Sequence, residues 1–276
     1  MAKKNEVAVV TPPTDIAIRD SRPAFLSTTI VGAGTEGLAN IVRPSFVKIV
    51  QKNSSDELLD KFGIGAIILT PDMLQLAPPE GTLSFVPILH FVEFCKWSPM
   101  KLRNTEPMIV ERSFDRNSSV AKKATNSKLW REDHPHHVGD KDYSYRYVEH
   151  LNFLIKPSDP ESRHLDPMLV SFCKTGYSAG QRLGKLILNR KADIYACQFS
   201  LGTRTREGAE NKWKVFTVEN HEQPWVTDED VFNQCKDLHD FAFELLRKKQ
   251  LDMNYEADVV DDADVVDGEV VGTGQY

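Results

Sequence analysis

The pattern of apolar and polar positions is that of strands for most of the chain. In RPSFVKIVQ (43–51), Phe46, Lys48 and Val50 alternate with Val47 and Ile49, the two-residue period of a first strand. SSDELLDKFG (54–63) reads as a short helix, capped by Ser54 or Ser55 and ended by Gly63. GAIILTPDMLQL (65–76) and GTLSFVPILHFVEFCKW (81–97) follow as strands separated by the turn APPEG. The second is unusually long, and its odd positions Leu83, Phe85, Leu89, Phe91, Cys95 and Trp97 are apolar, whereas its even set ends in His90, Phe94 and Lys96. A bend near Pro87 is expected to let this one strand serve two sheets. Further strands are predicted in PMIVERSF (107–114), YRYVEHLNFLI (145–155) and PMLVSFCK (167–174), with a long polar loop between the first two. Helical period first appears in SAGQRLGKLILNRK, where Leu183, Leu186 and Ile187 share a face. A hairpin turning around residues 207–211 follows, and then a last helix in TDEDVFNQCKDLHDFAFELLRKKQ, with Thr227 as cap, acids at its start and Arg247 near its end.

These elements predict a mainly β fold with helical additions. The expected layout is an extended N-terminal arm (1–40), a β-barrel domain (41–225), a C-terminal helix (226–252) and an acidic tail (253–276). At 276 residues and 41% hydrophobic content the chain can bury a full core. Its longest apolar runs fall far short of the roughly 20 residues that cross a bilayer. The N-terminal stretch lacks the apolar core of a secretory signal, so a cytoplasmic location is expected. Cys95, Cys173, Cys197 and Cys235 form no CxxC pair and read as reduced thiols.

The net charge of −6 changes this picture only once its distribution is read. Seven acids lie from Glu256 onward with no Lys or Arg; setting them aside leaves 34 basic against 33 acidic side chains. The body is nearly neutral, with local basic clusters, and the end is strongly acidic. Such a block of like charge with small residues predicts disorder.

Catalytic signatures are weak. Gly32, Gly34 and Gly37 match G-x-G-x-x-G, but a helix starting at Thr35 would meet Pro44 within about two turns, and strands rather than βα units follow. A glycine linker is the better reading. His134, His136 and His137 sit in a polar loop without the spaced second half of a metal site, so neither a metal nor another cofactor is called for. No nucleophile elbow, P-loop or HExxH helix occurs. Nothing demands an enzyme.

What recurs is the pairing of cations with aromatics. Lys96, Trp97, Lys101 and Arg103 form one cluster; Arg112, Phe114, Trp130, Tyr145, Lys174, Arg204, Lys212 and Trp213 belong to others. Single-stranded nucleic acid offers phosphates to neutralise and base faces to stack upon, and a surface with both residue types meets that need. The expected arrangement has Trp97 stacking a base while Lys96 and Lys101 hold flanking phosphates.

The β-rich body, the basic and aromatic middle and the acidic tail ending in Tyr276 resemble the single-stranded DNA-binding replication proteins of tailed phages, whose core is an OB-fold. The resemblance implies an OB-like barrel and a tail that competes with DNA and engages replication partners, here through Asp261, Asp262, Asp264 and Tyr276. The function expected is sequence-tolerant single-stranded DNA binding in phage replication or recombination, with homo-oligomers as a further option and no membrane partner. The alternatives are a phage structural or scaffold protein whose β domain assembles with copies of itself, and an enzyme of nucleic-acid metabolism.

Overall fold

The computed structural model describes residues 45–208 and 211–247. The expected arm, the acidic tail and Asp261, Asp262, Asp264 and Tyr276 lie outside them. Ten strands form one sheet: β1 (Ser45–Ile49), β2 (Ile67–Thr70), β3 (Leu74–Ala77), β4 (Leu83–Trp97), β5 (Ile109–Ser113), β6 (Arg131–Glu132), β7 (Tyr145–Pro157), β8 (Met168–Phe172), β9 (Cys197–Glu207) and β10 (Lys212–Trp225). The described helices are α1 (Asp56–Phe62), α2 (Ser119–Ala124), α3 (Tyr177–Arg190) and α4 (Glu229–Arg247). The main path through the sheet runs β10-β9-β4-β7-β8-β1-β2-β3, with β5 on β4 and β6 on β7. The sheet curls into a half-barrel, consistent with an OB-like barrel, and the last described element is a helix.

β4 is the spine of the sheet, and it serves one sheet rather than two. It pairs with β7 from Phe85 to Trp97, with β9 over its first residues and with β5 over its last four. The irregularity at Pro87 is a bulge, which exchanges the faces of the strand without ending the ladder. Before it, Leu83 and Phe85 enter the main core; after it, Leu89, Phe91 and Cys95 enter a second core on the opposite face. One apolar parity in the sequence therefore feeds two cores.

The main core draws on nearly every long strand, with Phe153, Phe172 and Phe199 at its centre and Ala179 and Leu183 of α3 plugging it. Leu186 and Ile187 pack on it from the side, as the helical period predicts. α4 covers the second core with Leu238, Ala242 and Leu246. The cap of α4 is Asp228 rather than the expected Thr227: its carboxylate accepts from the backbone N–H groups of Asp230 and Val231, at 3.0 and 3.3 Å. The stretch 65–76, expected as one strand, folds back as the β2–β3 hairpin, because Pro71 cannot donate to a ladder. The polar segment expected as a loop holds α2, whose Val120 and Ala121 are buried against Phe94 and Tyr147.

Gly180 marks a close approach of α3 to β8. A Cβ there would lie 2.8 Å from Phe172 Cβ and 3.1 Å from Leu151 Cδ1. Gly180→Ala gains about 1 kcal/mol of helix propensity but overpacks the core, which costs roughly 1–3 kcal/mol. The expected outcome is a net loss read as a lower urea midpoint; an unchanged or higher midpoint would show that the helix can shift outward freely.

The curl brings the edge strand β10 round to β1. Gln51, just past β1, donates from its side-chain amide to Lys214 O at 2.8 Å and accepts from Lys214 N–H at 3.0 Å. Thr203 of β9 donates to Gly65 O at 3.0 Å. One glutamine thus acts as a ladder partner for the strand edge.

Candidate nucleic-acid interface

A cleft of about 210 Å³ opens where β1 and β8 diverge. The two run parallel and are registered at Ser45–Met168 and Phe46–Leu169. From Phe46 on, residues 46–49 line one wall, Ser171 and residues 173–176 the second, and residues 213–216 of β10 a third, with Trp97, Arg103 and His150 completing it. Trp97 and Trp213 therefore share one cleft with Lys48, Arg103, Lys174 and Lys214, of which Lys214 contributes the backbone that Gln51 clasps while the end of its side chain packs at Gly65.

The Trp97 side of the cleft is held by a chain of polar contacts. Trp97 Nε1–H donates to His150 Nε2 at 3.3 Å, and the two rings lie nearly parallel, 16° apart with centroids 5.8 Å from each other. His150 Nδ1 is 2.9 Å from Ser171 Oγ. The imidazole is buried, and burial, reinforced by the charges of Lys174 and Arg112, pushes its pKa down to about 3. It is neutral at physiological pH, so it can accept from the indole. Lys174 Nζ stands 5.7 Å from the centre of the Trp97 ring, a cation–π contact. Its backbone takes φ 45°, the left-handed region that a non-glycine residue adopts at a cost of roughly 1 kcal/mol or more. This turn leads into α3 and lets the Lys174 side chain reach over the indole. On the other wall, Trp213 Nε1 is buried and has no hydrogen-bond acceptor among the described residues.

Of the twelve residues expected from the sequence, the cleft gathers Trp97, Arg103, Lys174 and Trp213. Lys96 is separated from Trp97 because neighbours on a strand point to opposite faces. Its ammonium sits 4.0 Å over the Tyr145 ring and 3.8 Å from Glu132. Tyr145 is itself buried, its hydroxyl donating to Glu106 at 2.9 Å; burial and that carboxylate push its pKa up to about 12. Lys101 pairs with Asp142 at 4.0 Å, Arg112 with the fully buried Glu93 at 3.5 Å, and Lys212 with Glu207. Phe114 leans on Phe91, and Trp130 is covered by Arg131. Arg204 is exposed on β9, opposite Val215. Tyr147, Lys123 and Glu132 close a further hydrogen-bonded group beside Lys96, in which the Lys123 and Tyr147 hydrogen bonds hold the Glu132 carboxyl below its usual range.

Lys48 and His150 line the cleft but are not among the expected binding residues, and neither is Lys214, although it lies in the same cation–aromatic run as Lys212 and Trp213. Lys214 adjoins Trp213, which is a usable signal; His150 sits in the middle of a strand and gives none. Among the described residues no group of three His, Cys, Asp or Glu side chains could hold a metal ion. The loop histidines lie among aromatics: the His134 ring is tilted against Tyr145 with centroids 5.7 Å apart, and His137 stacks on Tyr143 at 3.8 Å. No described helix is long and apolar enough to cross a membrane.

The family model of the Pam3 phage gp34-like protein matches residues 69–244, more than half of the chain. The chain belongs to this phage family. No curated protein and no solved structure matches it. The part matched to the gp34-like family runs from the end of β2 into α4, and so includes Trp97, Arg103, His150, Lys174, Trp213 and Lys214. Lys48 and Gln51, on the β1 side of the cleft, precede it.

Proposed function

We propose that this phage protein is a sequence-tolerant single-stranded DNA-binding protein, and not an enzyme, that protects single strands in replication or recombination. The observation that carries the reading is the convergence of two tryptophans with Lys174 and other basic residues in one cleft, its walls drawn from positions as far apart in sequence as Lys48 and Lys214, with the Lys174 ammonium over the Trp97 ring. Aromatic faces offer stacking to any base, and the cations offer neutralisation to the phosphates on either side. A volume of about 210 Å³ is below the roughly 300–1,000 Å³ of pockets that enclose drug-sized ligands, which suits one base at a time on a strand passing across. The acidic tail, with Asp261, Asp262, Asp264 and Tyr276, is assigned to recruiting replication proteins in the host cytoplasm.

Titration of intrinsic tryptophan fluorescence with a short oligothymidylate tests the proposal. Quenching that saturates, weaker binding of a duplex of equal length, and a log–log salt slope of about −0.7 per phosphate contacted are expected, so about four contacts give roughly −3. Equal affinity for duplex, or no binding at low salt, sinks the reading. Self-assembly into large particles without oligonucleotide binding would favour the structural or scaffold alternative, and turnover of labelled DNA an enzyme.

A further inference from the structure

Trp97 differs from an ordinary surface aromatic in that its indole edge is already engaged. Its Nε1–H is held by His150 at 3.3 Å, and His150 is anchored in turn by Ser171 at 2.9 Å. These three residues come from β4, β7 and β8, neighbouring strands whose ladders fix their backbones. For Nε2 to accept from the indole, the proton of the neutral ring must sit on Nδ1 and be donated to Ser171 Oγ. A strand binder whose stacking platforms swing freely loses side-chain freedom on binding, at roughly 0.5–1.5 kcal/mol for each immobilised side chain. A platform fixed beforehand avoids that loss.

We infer that His150 is a positioning residue which, anchored by Ser171, presets the Trp97 indole plane in the cleft for stacking. The inference rests on the proposed single-strand binding for its use, but the fixing of the indole is a property of the free protein. The groups facing His150 are Trp97 and Glu93 of β4, Ser171 of β8, and the charged Arg112 of β5 and Lys174. Arg112 and Lys174 both disfavour protonation, so the acceptor nitrogen is kept available through the neutral range.

The experiment compares wild type, His150→Gln, His150→Leu and Ser171→Ala, all as the full chain. Two readouts are taken: affinity for oligothymidylate and the indole N–H resonance of Trp97 in the ligand-free protein, assigned through Trp97→Phe. Glutamine can still accept from the indole, whereas leucine cannot. His150→Leu is expected to shift or broaden the Trp97 resonance and to weaken binding about five- to tenfold, His150→Gln to stay within about twofold, and Ser171→Ala to fall between. Should His150→Leu fail to fold, Ser171→Ala carries the comparison with His150→Gln. A Trp97 resonance identical in every folded variant overturns the inference, as does wild-type affinity in His150→Leu or Ser171→Ala. If wild type binds no oligonucleotide yet the resonance moves as described, the single-strand reading fails while the preset indole stands.

Discussion

Replacing Trp97 and Trp213 together by alanine is expected to reduce single-strand affinity by at least about thirtyfold, with circular dichroism still showing the β fold. Each stacked base contributes roughly 1–3 kcal/mol, so losing two platforms removes about 2–6 kcal/mol. The lower end already corresponds to about thirtyfold. The two residues are not equivalent. Trp97 also packs against the core under α4, so its replacement lowers stability as well, whereas Trp213 packs on the backbone at Gly208. Trp213→Ala alone therefore separates binding from folding. The control is Lys96→Met, which removes a cation from the most conspicuous basic run in the sequence. Lys96 is engaged with Tyr145 and Glu132 on the face opposite to Trp97, so single-strand affinity should stay within about twofold of wild type. A double tryptophan variant that binds normally, or a Lys96→Met variant that does not, would move the binding surface away from this cleft.

The second large effect is on stability as acidity rises. His150 is neutral in the folded protein with a pKa of about 3, against about 6.5 in an unfolded chain. Between those values the unfolded state binds more protons, so stability rises with pH across the window. The contribution is fully present above about pH 6.5 and is lost as pH falls toward 3, at about 1.4 kcal/mol per pH unit. From pH 7 to pH 5 the protein should lose about 2 kcal/mol, which for this size lowers the midpoint by roughly 4–8 °C. His90, also shifted down by burial and by Arg116, acts in the same direction. Thermal melts at pH 5, 6 and 7 for wild type and His150→Gln check this: the glutamine variant should show a distinctly flatter profile. Parallel profiles would mean that His150 does not stay neutral in the fold.

The strands were legible in the sequence as runs rich in β-branched and aromatic residues bounded by turn signals, as in β7, which is buried on both faces, and in the β9–β10 hairpin, where β9 starts with alternating burial. The bulge at Pro87 was legible only as a bend, because exchanging faces keeps the composition of the strand and changes only which core each residue enters. α2 escaped because six residues with two buried side chains do not set up a helical period. In the site, the separation of Lys96 from Trp97 follows from strand parity and could have been read directly. The joining of Trp97 to Trp213 could not, since it depends on how far the sheet curls. No local pattern carries that curl, and so Lys48 and His150 gave no signal.

The clasp between Gln51 and the Lys214 backbone links positions 163 residues apart, and the cleft beside it borrows residues from β1, β4, β7 and β10. Closing contacts over so long a stretch of chain is entropically unfavourable until the intervening strands are in place, so the cleft is assembled late in folding. No half-length piece of the chain contains all its walls, which run from Phe46 to Phe216. If the protein acts as proposed, strand capture is accordingly a report on the whole topology: a nascent chain still lacking β10 is expected to have no grip on a single strand and not to be trapped on one before β10 is in place.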